Sequence, residues 1–344
     1  MVMIKPKILK KGDTIGLVSP SSPLAGLVSH RVEKGIKALE EMGFKVKVGE
    51  NALKITGHTA GSAQDRADDL NSMFKDPEIS AIICMIGGFH ANQIINYLDY
   101  KMMSKNPKIF MGFSDITVVH WAINTKSSLV TFYGPALMTQ FGNSFEIDDY
   151  TVEYFKKAVM SSSPMGRIEP SKEWSDEFLN WFSKKDLERP KTKKINKGFI
   201  WLKSGKCEGE LIGGCITSLL HLRGTEYWPD FNNKILFWEL AESSNMEKGE
   251  PISRIDAHLT DLKLSGVFDK ISGMIIGRPY GYSEEEFEKL KEIILSNVGD
   301  YKFPVLYNID IGHTDPIMTI PLGVKARLDS ENNEFNIIES GVIS

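Results

Sequence analysis

The first 160 residues alternate apolar, strand-like runs with amphipathic helical segments, and this alternation constrains the fold more than any other feature. Strands that are linked through helices usually run parallel and need both faces of their sheet covered. The sequence therefore predicts an α/β fold in which an N-terminal parallel sheet is flanked by helices. The predicted strands are 13–19, 44–48, 79–86 and 109–111, and the predicted helices are 28–42, 60–74, 92–98 and 115–124.

The pattern changes after residue 160. Residues 161–206 combine prolines, aromatic side chains and clustered lysines, which indicates a long inter-domain loop. Loops of this length are usually functional or disordered, and the aromatic side chains argue against disorder. Residues 207–344 predict a C-terminal mixed α/β, β-rich domain, so the N-terminal domain is 1–160 and the active site is expected at the domain interface. The predicted C-terminal elements are a turn leading into a helix over 209–220, strands 234–240, 271–276 and 305–312, helices 251–264 and 283–298, and a hairpin of 324–328 with 334–338.

Composition excludes several classes of function. The net charge is −4 and no basic stripe is present, so nucleic acid is not an expected partner. No apolar run approaches the roughly 20 residues that a membrane span needs. Three cysteines form no CxxC pair, and the first residues lack the features of a secretory signal, which favours a cytoplasmic protein with reduced thiols. The usual nucleotide-phosphate and zinc motifs are missing, so no cofactor and no metal is expected.

Ser114 is the first candidate catalytic residue. It follows a short apolar strand and Gly112, and helical spacing begins directly after it. A serine hydroxyl at such a strand-to-helix turn projects from the sheet edge, beside the free N–H groups of the helix start. This position suits a nucleophile, but serine before aspartate is also a common helix N-cap.

A base and a carboxylate are available in the second half of the chain. His313 stands at the carboxyl end of an apolar strand, where parallel sheets expose functional groups. Glu239 ends another apolar strand, and a buried carboxylate there needs a partner, which is either a histidine or an arginine such as Arg254 or Arg278. Gly87 and Gly88 have no side chains, so their backbone N–H groups are open to approach by a ligand. The alternative interpretation is a tight turn that needs positive φ angles.

Seven segments together closely resemble the LD-carboxypeptidase family, and within it the microcin C immunity branch of serine peptidases. The resemblance extends over nearly the whole chain, and it is specific only when the segments are taken together. The segments are 12–22, 85–88, 112–117, 131–136, 211–214, 235–239 and 311–313.

The resemblance implies a Ser-His-Glu triad. Ser114 would be the nucleophile, His313 the general base, and Glu239 the carboxylate that orients the base. The backbone N–H groups of Gly88 and Asp115 would form the oxyanion hole. The family also implies a homodimer.

The substrate expected from the resemblance is a small peptide or a peptidyl-nucleotide. The microcin C immunity branch cleaves the amide-type bond between a peptide or amino acid and a modified adenylate, and residues 173–181 resemble its aromatic loop. Trp174 or Trp181 would either stack on adenine or pin this loop to the core.

Further residues are expected to line the pocket, and the substrate remains open among several alternatives. Gly87, His90 and Glu242 are assigned to substrate binding. Two positions depart from the branch, which often has Asn-Ser at 90–91 and tends to have asparagine in place of Cys215. The alternatives are release of terminal D-alanine from murein tetrapeptides, another esterase or amidase activity, and a non-catalytic peptide-binding protein.

Overall fold

The computed structural model describes residues 2–344 and contains two large sheets. The N-terminal sheet has six strands in the order β14-β5-β4-β3-β1-β2, and all neighbours are parallel except the edge strand β14. These strands are β1 Thr14–Val18, β2 Lys45–Val48, β3 Ile79–Cys84, β4 Ile109–Gly112, β5 Thr131–Tyr133 and β14 Ile320–Leu322.

The second sheet has eight strands in the order β6-β16-β15-β10-β11-β12-β13-β9. Its four central strands are parallel, and antiparallel strands complete both edges. The strands are β6 Gly166–Arg167, β9 Ile200–Lys203, β10 Lys206–Cys215, β11 Lys234–Glu239, β12 Gly273–Gly277, β13 Val305–Ile309, β15 Lys325–Asp329 and β16 Glu334–Ile337. Together the two sheets confirm the predicted α/β class, with a parallel N-terminal sheet and a mixed, β-rich second half.

Nine α-helices lie around the sheets in the part of the chain that the structure describes. The amphipathic α3 begins at a capping box, in which Ser62 and Asp65 satisfy each other's backbone N–H groups. No helix within residues 2–344 is long and apolar enough to cross a membrane. The helices are α1 Leu24–Leu27, α2 Ser29–Glu41, α3 Ala63–Lys75, α4 Tyr100–Lys105, α5 Thr117–Ser127, α6 Asp149–Val159, α7 Ile216–Leu219, α8 Ile252–Leu264 and α9 Glu284–Val298.

Two predicted elements differ from the structure. Residues 92–98 form two 3₁₀ turns rather than one helix, because the Ile95 carbonyl accepts from the Tyr100 hydroxyl and Asp99 caps the next helix. Residues 209–215 belong to the long strand β10, where a turn was predicted. Glycines usually signal turns, but in β10 they let neighbouring groups approach the backbone closely.

Residues 161–206 are more ordered than an excursion between domains. They contain β6 and β9, which are the two edge strands of the second sheet, and a separate pair of short strands. That pair is β7 Glu173–Trp174 with β8 Lys194–Ile195. The segment therefore wraps the second sheet at both edges.

The two sheets share their hydrophobic interior. One buried cluster joins Ile83 and Met111 of the first sheet to Phe237 of the second, and another joins Trp121 to Trp238. Strand β14 crosses from the second half of the chain to pair with β5. The two halves thus pack as one body, and the carboxyl ends of β4 and β11 come together.

Candidate active site

Ser114 lies in a strained turn directly after β4. Its φ is 64°, in the left-handed region that a non-glycine residue rarely occupies. A 3₁₀ turn over Ser114–Ile116 leads into α5. The Ser114 side chain makes no capping bond to this helix, whose N-cap is Ile116. The hydroxyl is therefore available for another partner.

That partner is His313, and His313 in turn contacts Glu239. The distance from His313 Nε2 to Ser114 Oγ is 3.0 Å, and Nδ1 lies 2.7 Å from Glu239 Oε2. The edge of the Phe113 ring lies against the imidazole, with 5.1 Å between ring centroids. The structure thus brings together the three residues that the sequence predicted as nucleophile, base and carboxylate.

Glycines make room for the carboxylate. Glu239 ends β11 and is fully buried. A Cβ at Gly312 would lie 2.1 Å from Glu239 Oε2, and a Cβ at Gly277 would lie 2.7 Å from Glu239 Cβ. Gly312 has a φ of 92°, so the chain turns tightly into His313 here. The loop that carries His313 can pass the carboxylate only because this position lacks a side chain.

The arginines considered as alternative partners of Glu239 bind other carboxylates. Arg254 pairs with Glu250 at 3.1 Å, and Arg278 pairs with Asp310 at 2.7 Å in the core. The buried charge of Glu239 is therefore balanced by His313 rather than by an arginine.

The electrostatic surroundings of His313 favour its protonated form. Burial alone lowers the pKa of His313, but the charges of Glu239, Glu242 and Asp315 and the hydrogen bond with Glu239 outweigh burial and raise it to about 9. The neutral imidazole, which is the form that can accept a proton, therefore prevails only in alkaline solution.

The glycine pair lies beside Ser114. A Cβ on Gly87 would be 3.2 Å from Ser114 Oγ and 3.4 Å from the backbone nitrogen of Asp115. A Cβ on Gly88 would clash with Ser21 Oγ at 2.5 Å, so only glycine fits there. The Asp115 side chain faces inward and accepts from Ser21 and from the backbone N–H of Ala91. The turn that carries the two glycines is thereby held next to the serine.

Two further residues assigned to the pocket differ in their proximity to the triad. Glu242 Oε2 lies 3.5 Å from His313 Nε2, and the Glu242 side chain is about one-quarter exposed. His90 follows the glycine turn and packs on His58, with ring centroids 4.3 Å apart. Burial and the neighbouring His58 lower the pKa of His90.

Both tryptophans of the loop are in contact with cations of the protein. Lys194 Nζ and the Arg278 guanidinium lie over the Trp174 ring, at 4.6 Å and 4.9 Å from its centroid. The Arg31 guanidinium lies over the Trp181 ring, with 4.5 Å between Arg31 Cζ and the ring centroid, and the ring also packs against the core. These contacts suit side chains that pin the loop to the rest of the molecule.

A cavity of about 510 Å³ lies next to this loop. Phe178 and Tyr282 are its aromatic lining groups, and its charged lining groups are Asp176, Glu177, Lys194 and Glu247. Sequence reasoning did not identify this cavity, because its walls combine residues between 176 and 194 with Glu247 and residues 281–283, which lie more than 50 positions further along the chain.

Sequence reasoning missed two residues that hold the site together. Tyr133 lies between the Ser114 backbone and Glu239, but in the sequence it is one aromatic residue in an apolar run. The partly buried Asp315 side chain accepts hydrogen bonds from Lys191 at 2.7 Å and from Gln140 at 3.0 Å, and its backbone pairs with that of Ser175. In the sequence, only the position of Asp315 two residues after His313 indicates that it lies near the site.

Comparison with known proteins identifies the family. Residues 15–134 match the LD-carboxypeptidase N-terminal domain, and residues 208–328 match the LD-carboxypeptidase C-terminal domain. The chain belongs to the LD-carboxypeptidase family.

Individual relatives cover nearly the whole chain. The microcin C7 self-immunity protein MccF of Escherichia coli is 36% identical over 334 residues, which are 96% of this chain and 94% of that protein. The putative carboxypeptidase YocD of Bacillus subtilis is 36% identical over 322 residues, 94% of this chain and 95% of YocD. A probable murein peptide carboxypeptidase of B. subtilis is 31% identical over 341 residues, 98% and 95% of the two chains.

Solved structures show the same architecture. MccF without ligand has a TM-score of 0.91 at 33% identity and covers 99% of this chain and 100% of its own. MccF in complex with aspartyl sulfamoyl adenosine has a TM-score of 0.90 at 33% identity, again with 99% and 100% covered. An MccF-like protein from Streptococcus pneumoniae in complex with AMP has a TM-score of 0.84 at 30% identity, with 94% and 98% covered.

Proposed function

We propose that this chain is a serine-type hydrolase with Ser114 as nucleophile, His313 as general base and Glu239 as orienting carboxylate. The observation that carries the proposal is the continuous hydrogen bonding from Ser114 Oγ through the imidazole to a fully buried carboxylate. A nucleophile, a base within hydrogen-bond reach and a group that orients the base define this kind of catalysis.

The proposed mechanism follows from these contacts. Neutral His313 takes the Ser114 proton at Nε2 while Oγ attacks the carbonyl carbon of an amide-type bond. The N–H groups of Gly88 and Asp115 stabilise the oxyanion, and Glu239 stabilises the imidazolium. The proton then passes from Nε2 to the departing nitrogen, which leaves an ester on Ser114. Water activated by His313 hydrolyses this ester and releases the acid.

The proposed substrates are aminoacyl- or peptidyl-adenylate compounds, so the activity would be a detoxifying one of the microcin immunity type. Support comes from the 36% identity to MccF and from the fold that the chain shares with MccF bound to aspartyl sulfamoyl adenosine. Phe178 and Tyr282 line a cavity that the triad residues do not line, and they are the candidate stacking partners for the adenine. Stacking of a base on an aromatic side chain contributes roughly 1–3 kcal/mol.

The position of Glu242 favours a substrate that has a free ammonium group near the bond to be cleaved. Its carboxylate lies 3.5 Å from His313 Nε2 and therefore beside the position of the reacting carbonyl. An aminoacyl compound carries its α-ammonium group on the carbon atom next to that carbonyl. An ion pair there would hold the acyl group in place and would favour aminoacyl compounds over peptidyl ones, whose nitrogen is acylated and uncharged.

Release of D-alanine from murein tetrapeptides is the second candidate. It is supported by the B. subtilis relative named as a probable murein peptide carboxypeptidase, which is 31% identical over 98% of this chain. This reaction would use the same serine, histidine and glutamate, and only the groups around them would differ.

A two-substrate hydrolysis assay tests the proposal. Purified protein is incubated with an aminoacyl-sulfamoyl adenosine and, separately, with a murein tetrapeptide ending in D-alanine, and Ser114→Ala serves as the control. We expect cleavage of the adenosine compound that depends on Ser114. Cleavage of the tetrapeptide alone would make the chain a wall-recycling carboxypeptidase, and no Ser114-dependent cleavage of either would contradict the proposed function.

We further propose that the protein acts in the cytoplasm as a homodimer. The homodimer is what the resemblance described in the sequence analysis implies, and a small-molecule substrate requires no nucleic acid or membrane partner. Light scattering should give about twice the chain mass of 38.6 kDa.

A further inference from the structure

Tyr133 lies where the two halves of the site meet. It is the last residue of β5 and pairs in register with Gly112, the last residue of the strand that precedes Ser114. Its ring packs against Phe237 of β11 at 5.3 Å and is almost completely buried. Phe237 and Glu239 point to the same face of β11 because they are two residues apart. The Tyr133 hydroxyl is thereby directed at Glu239.

The hydroxyl makes two hydrogen bonds that link the halves. It donates to Glu239 Oε1 at 2.6 Å and accepts from the Ser114 backbone N–H at 3.0 Å. Glu239 Oε2 accepts from His313 Nδ1, and His313 Nε2 contacts Ser114 Oγ. The four residues therefore form a closed ring of hydrogen bonds that begins and ends on Ser114.

A second connection holds the other side of the Ser114 peptide. Thr117 Oγ1 donates to the Ser114 carbonyl at 2.6 Å and accepts from the Cys215 N–H at 2.9 Å. Cys215 ends β10, the neighbour of β11. The strained Ser114 backbone is thus tied to the second sheet through both its N–H and its carbonyl, and strained positions persist only where surroundings hold them.

We propose that Tyr133 is a positioning residue that closes this ring and fixes Ser114 and Glu239 relative to each other across the two sheets. The inference rests on the proposed serine-hydrolase function. Without the hydroxyl, a buried Glu239 oxygen and the Ser114 N–H both lose a partner, and unsatisfied buried groups are costly. The serine turn and the carboxylate would then be linked only through His313 and through the contact of Thr117 with Cys215.

The loss of the hydroxyl also has an electrostatic consequence. A carboxylate that accepts fewer hydrogen bonds concentrates its charge on its remaining partner, so His313 binds its proton more tightly. Tyr133→Phe leaves the other ionisable groups that face this region chemically unchanged. They are Glu242 and Asp315 next to His313, and His120 and Cys215 next to Tyr133.

The test compares Tyr133→Phe with wild type in two measurements that need no natural substrate. The first is NMR titration of ring-labelled histidine, with the His313 signal assigned by its loss in His313→Gln. The second is the rate of inactivation by a fluorophosphonate, measured at a pH above the titration of His313. Tyr307→Phe is the matched control, because it removes a buried tyrosine hydroxyl that has no hydrogen-bond partner among residues 2–344.

We expect His313 of Tyr133→Phe to titrate at higher pH than in wild type. We also expect inactivation to slow by about 10- to 100-fold, the range for losing one hydrogen bond to a charged group. Tyr307→Phe should change neither the titration of His313 nor the rate of inactivation. An unchanged titration or an unchanged inactivation rate in Tyr133→Phe would overturn the proposal. Failure of the serine-hydrolase function itself would appear differently, as wild-type protein in which Ser114 is not modified.

Discussion

At the scale of single residues, the site is dominated by negative charge around one histidine. Glu239 is buried beneath the imidazole, and Glu242 reaches its other side at 3.5 Å. Together with Asp315 they overcome the effect of burial and raise the pKa of His313 to about 9. The proposed base is therefore largely protonated at neutral pH, as a consequence of the carboxylate proposed to orient it.

Glu242→Gln should shift the pH profile of kcat/KM. In the proposed mechanism the active form has neutral His313, so activity should rise with pH through the pKa of His313. Removing the Glu242 charge lowers this pKa, and the acid limb should move down by roughly one pH unit, as expected for a partly exposed pair. Glu226→Gln, which removes an exposed carboxylate elsewhere, should leave the limb in place. An unchanged or upward-shifted limb in Glu242→Gln would contradict this electrostatic assignment.

The same variant tests the ammonium-binding role of Glu242. With Glu242→Gln, KM for a free aminoacyl-sulfamoyl adenosine should rise, whereas KM for its N-acetyl derivative should stay close to the wild-type value. Equal changes for both compounds would show that Glu242 does not bind the ammonium group.

The sequence predicts a site residue only when that residue is unusual among its neighbours in the chain. A serine between strand and helix, a histidine at a strand end and a glutamate in an apolar strand are each unusual in their local surroundings. Tyr133 is not, because an aromatic residue in an apolar run is usual for a core strand. Its hydroxyl contacts only become visible once β5 and β11 face each other.

At the scale of elements, alternating strands and helices were predictable because each has its own periodicity. The hairpin of β15 and β16 was predictable for the same reason, since its strands are adjacent in sequence and separated by a polar turn. Strand β10 was not, because its glycines look like turn residues. In the structure, Gly213 lets the backbone of β10 lie close to β11, and Gly214 makes room for Thr117.

Gly213→Ala should therefore destabilise the protein strongly. A Cβ at Gly213 would lie 1.8 Å from the Phe237 carbonyl oxygen, a clash that only a shift of the strands could relieve. Such overpacking typically costs about 1–3 kcal/mol in a well-packed core, and a contact this short places Gly213→Ala at the upper end of that range. Urea unfolding gives the free energy of unfolding. The exposed Lys206→Ala on the same strand should change it by only about 0.5 kcal/mol, and an unchanged value for Gly213→Ala would contradict the close packing of β10.

At the scale of the whole molecule, the site exists only when both halves of the chain are packed together. Ser114 comes from the first sheet, Glu239 from the second, and His313 from the segment that leads back to β14 in the first sheet. The crossing of β14 and the edge strands β6 and β9 were not predictable, because these short strands gain their stability from partners that lie far away in the sequence.

The most direct measurement is the location of a covalent adduct. Wild type and Ser114→Ala are treated with a fluorophosphonate above pH 9, digested and analysed by peptide mass spectrometry. If Ser114 is the nucleophile, wild type should carry one adduct, on Ser114, and Ser114→Ala should carry none. Modification of another residue, or no modification of a wild-type protein that hydrolyses its substrate, would contradict the account.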